Sequence, residues 1–205
     1  MFEEIEKSLG TVKEFSDYVR ESRRAYGIAW AVWGAIVLAG FALMHTLLHS
    51  VAWYLITYAG IPGTLGIAFL AEALISHRIS KKIGRARSWI DVNCNRIWLL
   101  AVAGGICLCF VPTIFITEGI SDPASLMCAI LLGWFVADGF GAGATGILTG
   151  SKGMALTGLL AILAVIPLSV WLLEYAFLVF GLIMGGGYAI TGLIDYEMWF
   201  RENRK

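Results

Sequence analysis

Charge is scarce in this sequence. Lysine, arginine, aspartate and glutamate make up 15% of 205 residues, where a typical soluble domain carries about 25%, so there is too little polar surface to clothe a water-soluble globule. Lysine and arginine are absent altogether from 25–77, 97–151 and 153–200. The chain also lacks a Walker loop, a His-Glu-x-x-His pair and a Gly-x-Ser-x-Gly elbow. An intramembrane protease or lipid transferase needs a nucleophile and base, or several clustered acids, and neither set assembles in the apolar stretches. The expectation is therefore a protein that is not an enzyme, with a lipid-active membrane enzyme as the remote alternative. No catalytic residue, no cofactor and no nucleic-acid partner is expected; the formal net charge is zero.

Cysteine is sparse as well. Of Cys94, Cys107, Cys109 and Cys128, the last three fall within apolar runs. Cys107-x-Cys109 sets two side chains about 200° apart on a helix, which suits neither a disulfide nor a shared metal. Buried free thiols acting as small hydrophobes are expected.

What fills the sequence is apolar residues, 59% of the chain, and 24 glycines, giving a mean hydropathy of +0.78. Six runs are long enough to cross a hydrocarbon core of about 30 Å: 26–48, 51–75, 97–116, 125–150, 154–173 and 176–196. The fold class is all-α: a polytopic bundle of six transmembrane helices (25–197), preceded by an amphipathic helix (1–24) and closed by a charged tail (198–205). Pro62 falls inside the second run and predicts a bend there, because proline removes one backbone bond.

Basic residues fall on one side of such a bundle. Five lie in the N-terminal segment, six in the second loop, one in the fourth loop and three in the tail, which together make all 15. The positive-inside bias makes that face cytoplasmic and predicts an inner-membrane protein with both termini in the cytoplasm.

Ahead of the first run, Phe2, Ile5, Leu9, Val12, Phe15 and Val19 recur at three- and four-residue spacing, the mark of one helical face. The polar face mixes Lys7, Lys13 and Arg20 with Glu3, Glu6, Glu14 and Asp17, so it lacks the basic excess of a lipid-surface helix. Residues 2–19 are expected to pack on the bundle, on a second copy as a homo-oligomer, or on a cytoplasmic protein partner. The lipid bilayer is the other partner.

Asp138 is the leading site candidate. It is the one charge in the fourth run, where an aspartate at a helix centre costs roughly 2.5–3.5 kcal/mol on insertion scales. Such a group faces a bundle interior, a cavity or a partner. Gly139, Gly141 and Gly143 follow it, and glycines there either let another helix approach closely or loosen the helix and free carbonyls for an ion or substrate. The small-residue pairs Gly139-x3-Gly143, Gly146-x3-Gly150 and Gly181-x3-Gly185 predict tight packing of the fourth and sixth helices, with each other or across a subunit boundary. Glu72, one turn from the end of the second run, joins the substrate or ion candidates as a gate or relay, or simply snorkels to the interface. His45 and His49 share a helical face at the spacing of two imidazoles on one divalent metal.

The stretch Arg23-Arg24-Ala25-Tyr26 leading to Trp33-Gly34, with five further runs ending in Asp195-Tyr196-Glu197-Met198-Trp199, resembles small prokaryotic six-helix membrane proteins of uncharacterised function. In its paired helices with Pro112 and Pro167 toward the outer side, the architecture also resembles the bacterial acid-resistance membrane protein family. The resemblance implies a helical inner-membrane bundle and carries over no functional residue. Two functions fit the sequence. One is a membrane adaptor or sensor working through residues 2–19; the other is a channel or transporter for a small solute, ion or proton, with Asp138 at the midplane.

Overall fold

A computed structural model describes residues 24–48, 50–51, 55–83, 94, 96–105, 107, 123–170 and 173–202. Their regular structure is helical throughout, without a strand. The helices are α1 (Gly27–Leu47), α2 (Ile61–Ile83), a short α3 (Arg96–Gly105), α4 (Pro123–Thr149), α5 (Lys152–Val170) and α6 (Ala176–Glu202). Five of these are long and apolar enough to cross a membrane, as expected of a multi-pass membrane protein. The remainder of the expected third span, the amphipathic segment 2–19 and the end of the tail lie outside the described residues.

Large apolar side chains cover the outside of the bundle: Leu43, Ile67, Leu70, Ile147, Ile166 and Ile190 each expose more than half of their surface. Such a surface is at home in lipid and a liability in water. Inside, Phe41, Phe135, Phe177 and Phe180 are fully buried. Phe180 joins three helices, its ring 4.5 Å from Phe41 and 4.9 Å from Phe135.

The glycine motifs pack differently from the expectation. The fourth helix sets its glycines on the fifth: a methyl group on Gly158 would overlap the carbonyl oxygen of Gly139 and the amide nitrogen of Gly143. The sixth sets its glycines on the first, where Gly27 meets Gly192 and Gly34 meets Gly185, backbone against backbone. These four glycines are spaced seven apart on each of two antiparallel helices, so one continuous seam lets the axes approach. Apolar side chains gain little from one another in lipid, and close van der Waals packing of this kind is what associates the helices. Gly150 takes φ +69°, a left-handed conformation open to glycine, and turns α4 directly into α5.

A departure from α-helical winding lies just before Pro62, where the sequence predicts a disturbance. Pro62 has no N–H to give to the carbonyl of Tyr58, and the chain before it, Ile56–Gly60, winds as a π-helix in which the Ile61 amide reaches the Ile56 carbonyl. A second π-helical stretch, Gly181–Gly186, interrupts α6. Helix α6 also continues to Glu202, six residues beyond the expected span, with Glu197 paired to Arg201 one turn on. Such i,i+4 pairs support a helix end in water.

Candidate solute-binding cavity

Four elements converge on a cavity of about 340 Å³. Trp30 and Trp33 come from α1 and Phe69 and Glu72 from α2, each pair three residues apart and so on one helical face. Trp98, Leu99 and Val102 come from α3, Cys94 from just before it and Tyr188 from α6. The volume is at the small end of ligand pockets, and the apolar wall with few polar groups is their usual composition.

The aromatic rings form one cluster. Trp33 lies 4.8 Å from Tyr188, 5.8 Å from Phe69 and 6.2 Å from Trp98, while Tyr188 lies 5.9 Å from Trp98 and 6.0 Å from Trp30. Two polar atoms of this wall, Trp33 Nε1 and Tyr188 Oη, are buried without a hydrogen-bond partner among the described residues. Buried polar groups are ordinarily satisfied, and these two have no protein partner among the described residues. The Glu72 carboxylate is held in place from its own helix: Ser76 Oγ donates to Oε1 at 3.1 Å.

Asp138 is buried at 2% exposure, as the sequence requires of a midspan carboxylate, and its Oδ2 has no hydrogen-bond partner among the described residues. It does not line the cavity. Tyr188 connects the two, since it forms part of the wall and interacts electrostatically with Asp138 and with Cys94. The π-helical turn of α6 ends two residues before Tyr188, and such turns often accompany functional sites.

The remaining candidates separate. Gly141 backs the cavity wall, where an added methyl would stand 3.3 Å from the Trp98 ring and 3.5 Å from Ala101. Gly139 faces α5 instead, and the backbone of Gly143 abuts Gly158 of α5 while its own Cβ position is open. Helix α4 runs through all three without a break, so their carbonyls are not released by local unwinding. His45 sits at the opposite end of α1, its ring 5.8 Å from that of Tyr175; His49 lies outside the described residues. Among the described residues no three metal-binding side chains gather. Cys94 is buried, whereas Cys107 is exposed rather than packed inside.

Against family models, curated proteins and solved structures the chain finds no match. Geometry alone therefore carries the functional argument. The spacing Gly141-x-Gly143-x-x-Gly146 is that of a dinucleotide-binding turn, but it lies in the interior of α4 with no strand before it, so it presents no helix N-terminus to a phosphate.

Sequence reasoning missed most of the wall. Trp30 and Trp33 carried a signal, aromatic residues near a span end, and it pointed to interface anchoring. Trp98 and Tyr188 carried none, because a lone aromatic in an apolar run has no partner visible in sequence. Among the described residues the wall offers one carboxylate, one thiol and a largely aromatic surface.

Proposed function

We propose that this protein is an inner-membrane carrier or channel that binds a small solute in the aromatic cavity and couples its movement to Asp138. The single observation behind this reading is that Tyr188, a residue of the cavity wall, lies in the electrostatic field of Asp138, a buried carboxylate with an oxygen unpartnered among the described residues. A purely structural carboxylate in an apolar bundle carries an insertion cost with no return, whereas one reached through a binding pocket can exchange an ion or a proton with it. The adaptor reading rests on residues 2–19 and draws support from no feature of the described residues.

The six-span topology belongs to this proposal, and the ends of the chain support it. Arg24, just before α1, forms an ion pair with Glu202 at the end of α6. Chain entry and exit at one end of the bundle fit an even number of crossings, and the short apolar helix Arg96–Gly105 is the start of the stretch we assign to the sixth. The basic residues on that face then make it cytoplasmic.

The test is flux in proteoliposomes containing a pH-sensitive dye, under an imposed membrane potential. The native chain is expected to acidify or alkalinise the lumen above the protein-free background. Asp138→Asn keeps the shape and loses the charge, and is expected to fold normally while abolishing that flux or its pH dependence. Unaltered flux in the asparagine variant across pH 5 to 8 removes Asp138 as the coupling group.

A further inference from the structure

We infer that Asp138 takes up a proton from one end of the bundle only, the end where Arg24 pairs with Glu202, along a buried polar track that includes Thr145. This rests on the coupling role proposed above and names the ion and its route.

Helix contacts fix the direction of each element. Gly27 meets Gly192 and Gly34 meets Gly185, while a methyl group on Gly153 would overlap Thr191 and one on Gly187 would overlap Thr157. The start of α1, the end of α6, the start of α5 and, through the Gly150 turn, the end of α4 therefore share one end of the bundle. Buried polar side chains divide along this axis. Among the described residues they are Asp138, Thr145, Ser151, Thr157 and Asp195, and all of them lie between the level of Asp138 and that shared end. Thr145 stands two turns beyond Asp138 on the same face of α4, and its Oγ1 is buried with no hydrogen-bond partner among the described residues. The next hydroxyls lead outward from it. Thr149 Oγ1 donates to the Thr145 carbonyl at 2.7 Å, and Ser151 Oγ accepts from the Met154 amide at 3.4 Å in the turn itself.

Toward the opposite end the described interior is apolar. Phe135, three residues before Asp138, packs on Phe180, and Phe180 packs on Phe41 with Phe177 beside it, all four rings fully buried. Leu131 and Leu168 are buried on the same half, and His45 near its rim is half-buried. A proton travels along hydroxyls and ordered water, and ordered water is held where buried polar groups supply its bonds, not between apolar rings. Asp138 thus sits at the boundary of a polar half and a closed one.

A proton suits this carboxylate better than a metal cation. Hard cations take about six oxygen ligands, whereas α4 runs unbroken with its carbonyls spent in the helix, and α5 brings Gly158, Ala161 and Ile162 to the neighbouring Gly139. Of the titratable groups, Tyr188 on α6 faces Asp138, with Cys94 acting on Tyr188 in turn. Helix α5 carries only Lys152, at its start, and α1 only His45, near the far end. A proton needs a single oxygen, and Oδ2 is unpartnered among the described residues.

The experiment is time-resolved infrared difference spectroscopy of the full chain in proteoliposomes sorted by a C-terminal tag, so that the Glu202 end faces outward in one set and inward in the other. The carboxylic acid band of Asp138 is identified by its loss in Asp138→Asn. After a drop in external pH the band is expected to rise at once where the Glu202 end faces outward, and only as the lumen acidifies where it faces inward. Thr145→Val keeps the volume and removes the hydroxyl; it is expected to slow the rise by about tenfold, and Thr145→Ser to restore it. Unchanged amide bands certify the fold of each variant. Equal response from both faces, response from the opposite face alone, or a full rate in Thr145→Val overturns the one-sided track and leaves Asp138 as the coupling group. A band that follows pH from neither face overturns the track and the coupling reading together.

Discussion

Tyr188 holds two roles that pull in opposite directions. Its ring packs on Trp33, Trp98 and Trp30, while its hydroxyl is buried with no hydrogen-bond partner among the described residues. Leaving such a group unsatisfied costs about 1–3 kcal/mol, so Tyr188→Phe is expected to raise stability by roughly 1 kcal/mol. The same change should weaken solute binding, because it removes a donor from the cavity wall. Thermal unfolding in detergent and ligand titration of one preparation read the two effects separately; a variant that is less stable and binds equally well contradicts this account. Asp138 was legible in the sequence because a lone charge in a long apolar run has few tolerable places. Tyr188 was not, because nothing in its local sequence says which helix it faces.

Between elements, glycine contacts follow the same logic. Gly158 fits between Gly139 and Gly143 with no room for a methyl group, while Gly66 on α2 has nothing within 4 Å of the position a methyl would take. Gly158→Ala must push α4 and α5 apart and is expected to cost about 1–3 kcal/mol. Gly66→Ala relieves the helix-weakening effect of glycine and is expected to gain up to about 1 kcal/mol. Reversible unfolding in mixed micelles compares them, and equal effects from both substitutions would show that the α4–α5 seam is not tight. The sequence marked these glycines as contact points through their four-residue spacing. It could not say that α4 meets α5 and α6 meets α1, since every helix here offers small residues and pairing depends on which surfaces fit. The π-helical turn at Ile56–Gly60 was half legible: Pro62 announced a disturbance, and the geometry that absorbs it depends on how α2 rests on α1.

For the whole molecule, the proposed six spans with cytoplasmic termini predict a labelling pattern. Single cysteines placed at Ser88 and Glu202 in a cysteine-free background should be shielded from an impermeant thiol reagent in intact cells, and one at Ser121 should react; the inverse pattern overturns the topology. The N-terminal segment has its own test, since replacing Leu9 and Val12 by serine should expose the chain near residue 20 to protease or reduce the oligomer size. If neither changes, residues 2–19 neither dock nor associate. By itself, the sequence determined that the chain is helical and suited to a membrane and where its long apolar runs lie. Those properties follow from hydrocarbon thickness, backbone hydrogen bonding and charge, which act on each segment alone. Tertiary structure decided the partners: α1 on α6, α4 on α5, and four elements around one aromatic cavity with Glu72 on its wall. These depend on close contact between residues far apart in the chain, 165 positions for Gly27 and Gly192, and in a chain so uniformly apolar no local pattern distinguishes the side chains that meet from those that face lipid.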